Sequence, residues 1–187
     1  MNTQPLISKH RFTTEEYQNM TTVFPDNARI ELIEGDLLDM APIGNRHLMH
    51  VDNLADLLIP KIRPLATVRV QGSIRLHDLS EPQPDLVILR GRPKDYANRR
   101  ATPADVLLLI EVADTSLQYD QQIKAPLYAR HGIIEMWLID LQHSVIEVYR
   151  NPQPTGYASL QTLKDQAQLS PLALPEVAIS LEEIFIV

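Results

Sequence analysis

The run Val106-Leu107-Leu108-Leu109-Ile110 ends on Glu111, and no other stretch restricts the fold as strongly. A short, unbroken run of branched aliphatic residues reads as a central strand buried on both faces. A carboxylate at the end of such a strand loses its hydration, which costs several kcal/mol unless a positive group meets it. Upstream, Pro84-Asp85 opens a second apolar run, Leu86-Val87-Ile88-Leu89. Downstream, Asp120, Lys124 and Tyr128 recur every four residues, which places them on one face of a helix. Two strand-end acids with a lysine and a tyrosine behind them have the make-up of a metal site.

The 187 residues suit one domain, 1–187, with a sizeable core. With no cysteine, disulfides, thiolate metal sites and cysteine nucleophiles are excluded. No apolar run approaches the roughly 18 residues needed to cross a bilayer. The opening MNTQPLISKHRFTTEEY carries no apolar core of signal-peptide type. A cytoplasmic location without a membrane partner is therefore expected. The net charge of −7 argues mildly against a nucleic-acid partner, because phosphate binding rests on Lys and Arg. Yet Arg90, Arg92, Lys94, Arg99 and Arg100 share one stretch in which Asp95 is the only acid. That stretch reads either as a solvated loop or as a DNA-contacting patch.

Along the chain, Thr13 followed by Glu15 and Glu16 signals a helix start. The apolar segments flanking Gly35-Asp36 predict a tight N-terminal β-hairpin. Glu31 and Ile33 share one face of its first strand, Leu32 and Glu34 the other. A helix is predicted from about Arg46 to Arg63, with Leu48, Val51, Leu54, Ala55 and Leu58 as its apolar stripe and Pro60 kinking or ending it. Thr67 to Gln71 and Ser73 to Leu76 predict two strands, or one bulged strand, about Gly72. Further strands are predicted at Asp85 to Leu89, Val106 to Val112, Ile134 to Asp140, Val145 to Tyr149 and Gly156 to Leu160. A helix from about Asp120 to Arg130 carries Pro126, which implies a kink or a later start, and ends at Gly132. The tail predicts irregular packing with a short helix at Leu181 to Ile184. The order of elements makes the chain mixed α/β.

The series Glu81-Pro82-Gln83-Pro84-Asp85, Glu111-Val112-Ala113-Asp114-Thr115-Ser116, Tyr119-Asp120, Lys124, Tyr128-Ala129, Gly132-Ile133, Glu135 and Trp137 resembles the bacterial Uma family of putative restriction endonucleases. That family lies within the PD-(D/E)XK nuclease superfamily. The likeness extends to Glu31-Leu32-Ile33-Glu34-Gly35 and to the helix of His47, so it covers nearly the whole chain. It implies a restriction-endonuclease-like core with a central mixed sheet flanked by helices. It also implies Asp85 and Glu111 as metal ligands, Lys124 as the catalytic lysine, Mg²⁺ as cofactor with Mn²⁺ as substitute, and DNA as substrate. In the simple superfamily pattern the lysine stands two residues after the acid, where this chain has Ala113. The Uma-type pattern moves it to the following helix, which Lys124 matches.

Each residue also has a plainer reading. Asp85 suits a turn after Pro84, and Lys124 could pair with Asp120 across one helical turn. Tyr128 suits helix packing. Glu34 reads as an additional acid or a hairpin surface residue. His47 reads as a phosphate or metal contact or as a structural histidine, and Gln83 as a contact to a metal-bound water. The leading function is a Mg²⁺-dependent endodeoxyribonuclease, for which two-strand cleavage favours a homodimer. The alternatives are a non-cleaving nucleic-acid or protein-binding module on the same fold, and a metal-assisted hydrolase of small substrates in a closed pocket.

Overall fold

The computed structural model of the protein describes residues 8–25 and 28–186; residues 1–7 of the opening segment read above for a signal peptide lie outside them. Thr13 starts α1 (Thr14–Met20) with a reciprocal capping box, accepting from the Glu16 amide and donating its own amide to the Glu16 carboxylate. The hairpin pairs β1 (Ile30–Ile33) with β2 (Asp36–Asp39). Its loop is Glu34-Gly35, one residue earlier than predicted, with φ of 52° and 82°. Two successive positive φ values match the right-handed twist of the flanking strands. In α2 (Asn45–Ile62), His50, Val51, Leu54, Leu58 and Ile62 are buried. Leu48, predicted on the apolar stripe, is 39% exposed. Pro60 lies in the last turn, two residues before the end.

The main sheet follows chain order: β3 (Thr67–Val70), β4 (Leu86–Leu89), β5 (Val106–Ala113), β6 (Glu135–Asp140), β7 (Val145–Gln153) and β8 (Gly156–Leu163). Every neighbouring pair is antiparallel except β5–β6. The second half of the predicted Thr67–Leu76 strand pair does not form. Gln71 adopts a φ of 46°, which turns the chain away, and Ile74 keeps only a bridge to Ala101.

A parallel pair needs a crossover, and here it supplies the site's helix. The crossover runs through α3 (Leu117–Tyr119), a π-turn at Asp120–Lys124 and α4 (Ala125–Arg130). The helix thus starts three residues before the predicted Asp120, and the irregularity lies just ahead of Pro126. Proline lacks an amide hydrogen and crowds the carbonyl four residues back. A widened turn, in which Ala125 N donates to Asp120 O, relieves that crowding. Gly132 at φ 78° closes the helix. In the tail, β9 (Gln168–Leu169) pairs with β10 (Ile179–Ser180), and α5 (Leu181–Ile184) follows. Leu169, Leu174, Val177, Ile179, Leu181 and Ile184 of this tail join the core.

The sheet separates two apolar layers. Leu108, Ile110 and Val112 of β5 face α2 and the tail. Leu109 and Ala113 face the α4 side, with Val87, Leu89, Leu127 and Tyr128. The alternation of strand side chains therefore sends Glu111 towards α4. In β4, Val87 and Leu89 face the same side, so Asp85 also starts there.

Candidate active site

The register of the sheet brings the two strand-end acids together. Leu86 pairs with Ile110, so Asp85, one residue earlier, falls opposite Glu111, one residue later. Asp85 Oδ2 accepts from the Val112 amide at 2.9 Å and from His47 Nε2 at 3.1 Å. Glu111 Oε1 accepts from Lys124 Nζ at 3.1 Å and from the Tyr128 hydroxyl at 2.7 Å. Lys124 donates a second time, at 3.1 Å, to Glu31 Oε1. That oxygen also accepts from the Gln83 amide at 2.9 Å. Asp85, Glu111, Lys124 and Glu31 are all buried, and all line one cavity of about 220 Å³ with His47 and Asp120.

Burial and charge set the protonation states. Loss of hydration drives Glu111 well above the usual carboxylate range, and the Lys124 ammonium only partly opposes it. Burial alone would depress Lys124, but Glu111, Glu31 and Asp120 outweigh it and hold the amine above its ordinary value. Burial also raises Asp120 to about 6, against the pull of Lys124 and the Ser116 hydroxyl. The Tyr128 hydroxyl, buried beside Glu111 and Glu31, is pushed well up and stays a donor. Lys124 is therefore a fixed cation beside Glu111 and Asp120, two acids that resist ionisation.

The pairing of Lys124 with Asp120 across one helical turn is not what forms. Lys124 bonds Glu31 and Glu111, while Asp120 Oδ2 accepts from Ser116 Oγ at 2.6 Å. Tyr128 both packs and hydrogen-bonds, and His47 meets Asp85. Gln83 lines the cavity, with its side-chain nitrogen on Gln71 O at 2.5 Å. Glu34 lies away from the cavity on the hairpin turn, 3.4 Å from Arg130. The hairpin acid that reaches the centre is Glu31, three residues earlier. Its place on the strand face opposite to that of Glu34 was readable from the alternation, but not which face turns inward.

The basic stretch starts at the other end of β4. Arg90 lies five residues from Asp85, roughly 16 Å along an extended strand. Arg99 donates a bidentate pair of hydrogen bonds to the Asp105 carboxylate at 2.7 and 2.8 Å and lies over the Tyr96 ring. Arg100 pairs with buried Glu81 at 3.3 Å, and Arg92 donates to Arg63 O and Pro64 O. Arg90 and Lys94 are exposed and form no ion pair among the described residues. The charged groups nearer the cavity include Arg29, which lines it, and Arg46, which reaches Asp114 at 3.5 Å and also donates to Leu141 O.

A six-stranded mixed sheet flanked by helices, with an N-terminal hairpin, defines a restriction-endonuclease-like architecture. A family model described as "Uma2: Putative restriction endonuclease" matches residues 14–182, and the chain belongs to that family. The crystal structure of a "putative nuclease belonging to DUF820" from Anabaena variabilis is similar, with a TM-score of 0.71 at 17% identity, covering 93% of this chain and 97% of that one. The type IIG restriction endonuclease BpuSI matches at a TM-score of 0.40 and 18% identity, over 75% of this chain and 15% of its own. No curated protein matches the chain.

Proposed function

We propose that the protein is a Mg²⁺-dependent endodeoxyribonuclease, with Mn²⁺ as a substitute, that hydrolyses phosphodiester bonds at the Asp85–Glu111–Lys124 centre. The observation that carries this reading is the Lys124 ammonium, buried between Glu31 and Glu111 at the strand ends and open to the cavity. One carboxylate suffices for a structural ion pair. Here Glu31, Asp85, Glu111, Asp114 and Asp120 line the same cavity as Lys124 and Arg29, a surplus of carboxyl groups whose ionised forms a divalent cation would favour.

The donor set fits such an ion. Asp85 Oδ1 and Glu111 Oε2 accept no hydrogen bond from the described residues, and Glu31 Oε2 is buried without a partner. Mg²⁺ takes hard oxygen donors, and one or two protein carboxylates are enough. Asp85 and Glu111 would hold it, and Glu31 would join them as a third acid by turning its free Oε2 inwards. Bound there, the ion supplies Lewis acidity to the phosphodiester. Lys124, charged and held from two sides, orients the attacking water and stabilises the negative charge that develops on the phosphoryl oxygens. Tyr128 fixes Glu111, and His47 with the Val112 amide fixes Asp85. The cavity is smaller than the roughly 300–1,000 Å³ of a typical small-molecule site, which favours a phosphate and its waters over a whole metabolite.

In this reading DNA runs from the cavity towards Arg90 and Lys94, and a homodimer cuts both strands. The test is cleavage of supercoiled, linear and single-stranded DNA with Mg²⁺ or Mn²⁺, with Glu111→Ala as control and sedimentation of the protein alone and on DNA. Metal-dependent cleavage lost in Glu111→Ala is the expected result. DNA binding without cleavage under any metal would leave the non-cleaving module in its place.

A further inference from the structure

Glu34, His77 and His131, outside the carboxylate centre, bring ligand atoms within 4.8 Å of one another; no other trio of acids or histidines does so among the described residues. The three come from separate segments: the β1–β2 turn, the turn closed by the His77–Ser80 bridge, and the cap of α4. The two imidazoles stack at 4.4 Å with 22° between their planes, so their edges can address a common point. His77 Nε2 lies 3.8 Å from Glu34 Oε1, beyond hydrogen-bond reach, and is shut off from solvent without a partner. Buried polar atoms are seldom left so. Glu34 moreover holds a φ of 52°, a conformation uncommon outside glycine and asparagine.

We propose that Glu34, His77 and His131 form a second metal site, selective for Zn²⁺ or an ion of similar softness. Two imidazoles and one carboxylate with a fourth position open are a zinc-type ligand set. An all-oxygen centre such as that of Asp85 and Glu111 suits Mg²⁺ instead. The two sites thus sort ions by chemistry. Zinc–ligand bonds of about 2.0–2.2 Å require the three side chains to draw inwards. Glu34 and His77 are 43% and 33% exposed, which leaves them room to do so. Arg130 must release Glu34, an exposed contact at 3.4 Å that contributes little. Coordination through His77 Nε2 moves the ring proton to Nδ1 and ends the long 3.3 Å contact from the Leu79 amide. Burial and the neighbouring His77 hold His131 below its ordinary value, which keeps its ring free to coordinate. The ion would tie the hairpin that carries Glu31 to the helix that carries Lys124, beside their buried ion pair.

The test is titration of the purified full chain with Zn²⁺ and with Co²⁺, in excess Mg²⁺ to occupy the carboxylate centre. The parent should bind one ion per chain and give the intense visible absorption of four-coordinate Co²⁺. In His77→Ala and His131→Ala, affinity should fall by more than about 100-fold, beyond the loss typical of an outer-sphere partner, and the absorption should vanish. Glu34→Gln, which keeps size and polarity, should weaken binding without altering the circular dichroism of the fold, so the test stands even if a histidine variant misfolds. No uptake by the parent overturns the site, as do unchanged affinity and spectrum in the variants. Zn²⁺ uptake lost in Glu111→Ala but kept in His131→Ala would place the ion at the carboxylate centre and also overturn it.

Discussion

Asp120 is a buried acid that resists ionisation in the folded chain, near pH 6 against an ordinary 3.8. A raised folded value means that the native state binds the proton more tightly than the unfolded one. Stability from this group is therefore complete below pH 4 and lost as pH rises towards 6 and beyond. The folded state thus favours the neutral acid, and the stability gained from it depends on pH. In metal-free buffer, Asp120→Asn should exceed the parent in urea stability at pH 7, and the gap should close near pH 4. An equal gap at both pH values would place the effect elsewhere. Lys124→Met should behave oppositely, because it leaves Glu31 and Glu111 buried without their cation, a loss of about 3–5 kcal/mol for a broken buried pair. Protonation of Glu111, which burial already drives upwards, softens the loss, so it should be smaller at pH 5 than at pH 8. If the proposed role is right, cleavage falls by about two orders of magnitude or more, with Mn²⁺ affinity close to that of the parent. Full activity in Lys124→Met would remove the lysine from the mechanism. Asp85 and Glu111 stood out in the sequence because charge at the end of an apolar run is costly, and Lys124 stood out through its four-residue spacing from Asp120 and Tyr128 and through the resemblance to the Uma family. Glu31 did not, because its burial depends on a hairpin folding across the chain onto the Lys124 helix.

At the scale of elements, periodicity revealed nearly every strand and helix, and the departures trace to single backbone positions. Gln71 at positive φ removed a strand, and at Pro126, where a kink or a later start was expected, the helix starts earlier and carries a π-turn. Neither departure follows from hydrophobic pattern, since side-chain alternation does not report φ. The hairpin turn offers the sharpest test. A Cβ on Gly35 would lie 2.6 Å from Arg11 Cβ, at a φ of 82°. Gly35→Ala should therefore destabilise by more than the ~1 kcal/mol of an ordinary glycine exchange. As β1 carries Glu31, Mn²⁺ affinity should fall with it; a lower melting temperature with unchanged Mn²⁺ binding would show that Glu31 is not part of the metal centre. In the basic stretch, Arg99 and Arg100 already serve Asp105 and Glu81. The phosphate contacts proposed there fall to Arg90 and Lys94. Arg90→Ala/Lys94→Ala should reduce the salt slope of DNA binding by about 1.8, at roughly 0.9 per phosphate contact. An unchanged slope would make the loop a solvated surface.

At the scale of the molecule, the two apolar layers share their strands. Leu108, Ile110, Val112, Trp137 and Ile139 serve one layer, and Leu109, Ala113, Met136 and Leu138 serve the other, all from β5 and β6. Neither layer can open without stripping one face of the same two strands. We propose on this ground that the chain unfolds as one domain. The expected unfolding enthalpy is roughly 130 kcal/mol near 60 °C, at about 0.7 kcal/mol per residue over 187 residues. Trp137 is fully buried and lies in the layer that faces α2 and the tail. Its fluorescence therefore reports on that layer, while far-ultraviolet circular dichroism reports on the whole chain. The two transitions should coincide, and the calorimetric enthalpy should equal the van't Hoff value. Fluorescence changing ahead of the dichroism would show that the tail and α2 leave the sheet first and would end the one-domain reading. Mg²⁺ gives the same experiment a second readout. An ion that binds only the native centre stabilises by mass action, by about 2.7 kcal/mol at one hundred times its dissociation constant. That rise in melting temperature should disappear in Asp85→Ala and Glu111→Ala. If Mg²⁺ raises the melting temperature of the parent and of both variants equally, the ion binds elsewhere and the carboxylate centre holds no metal.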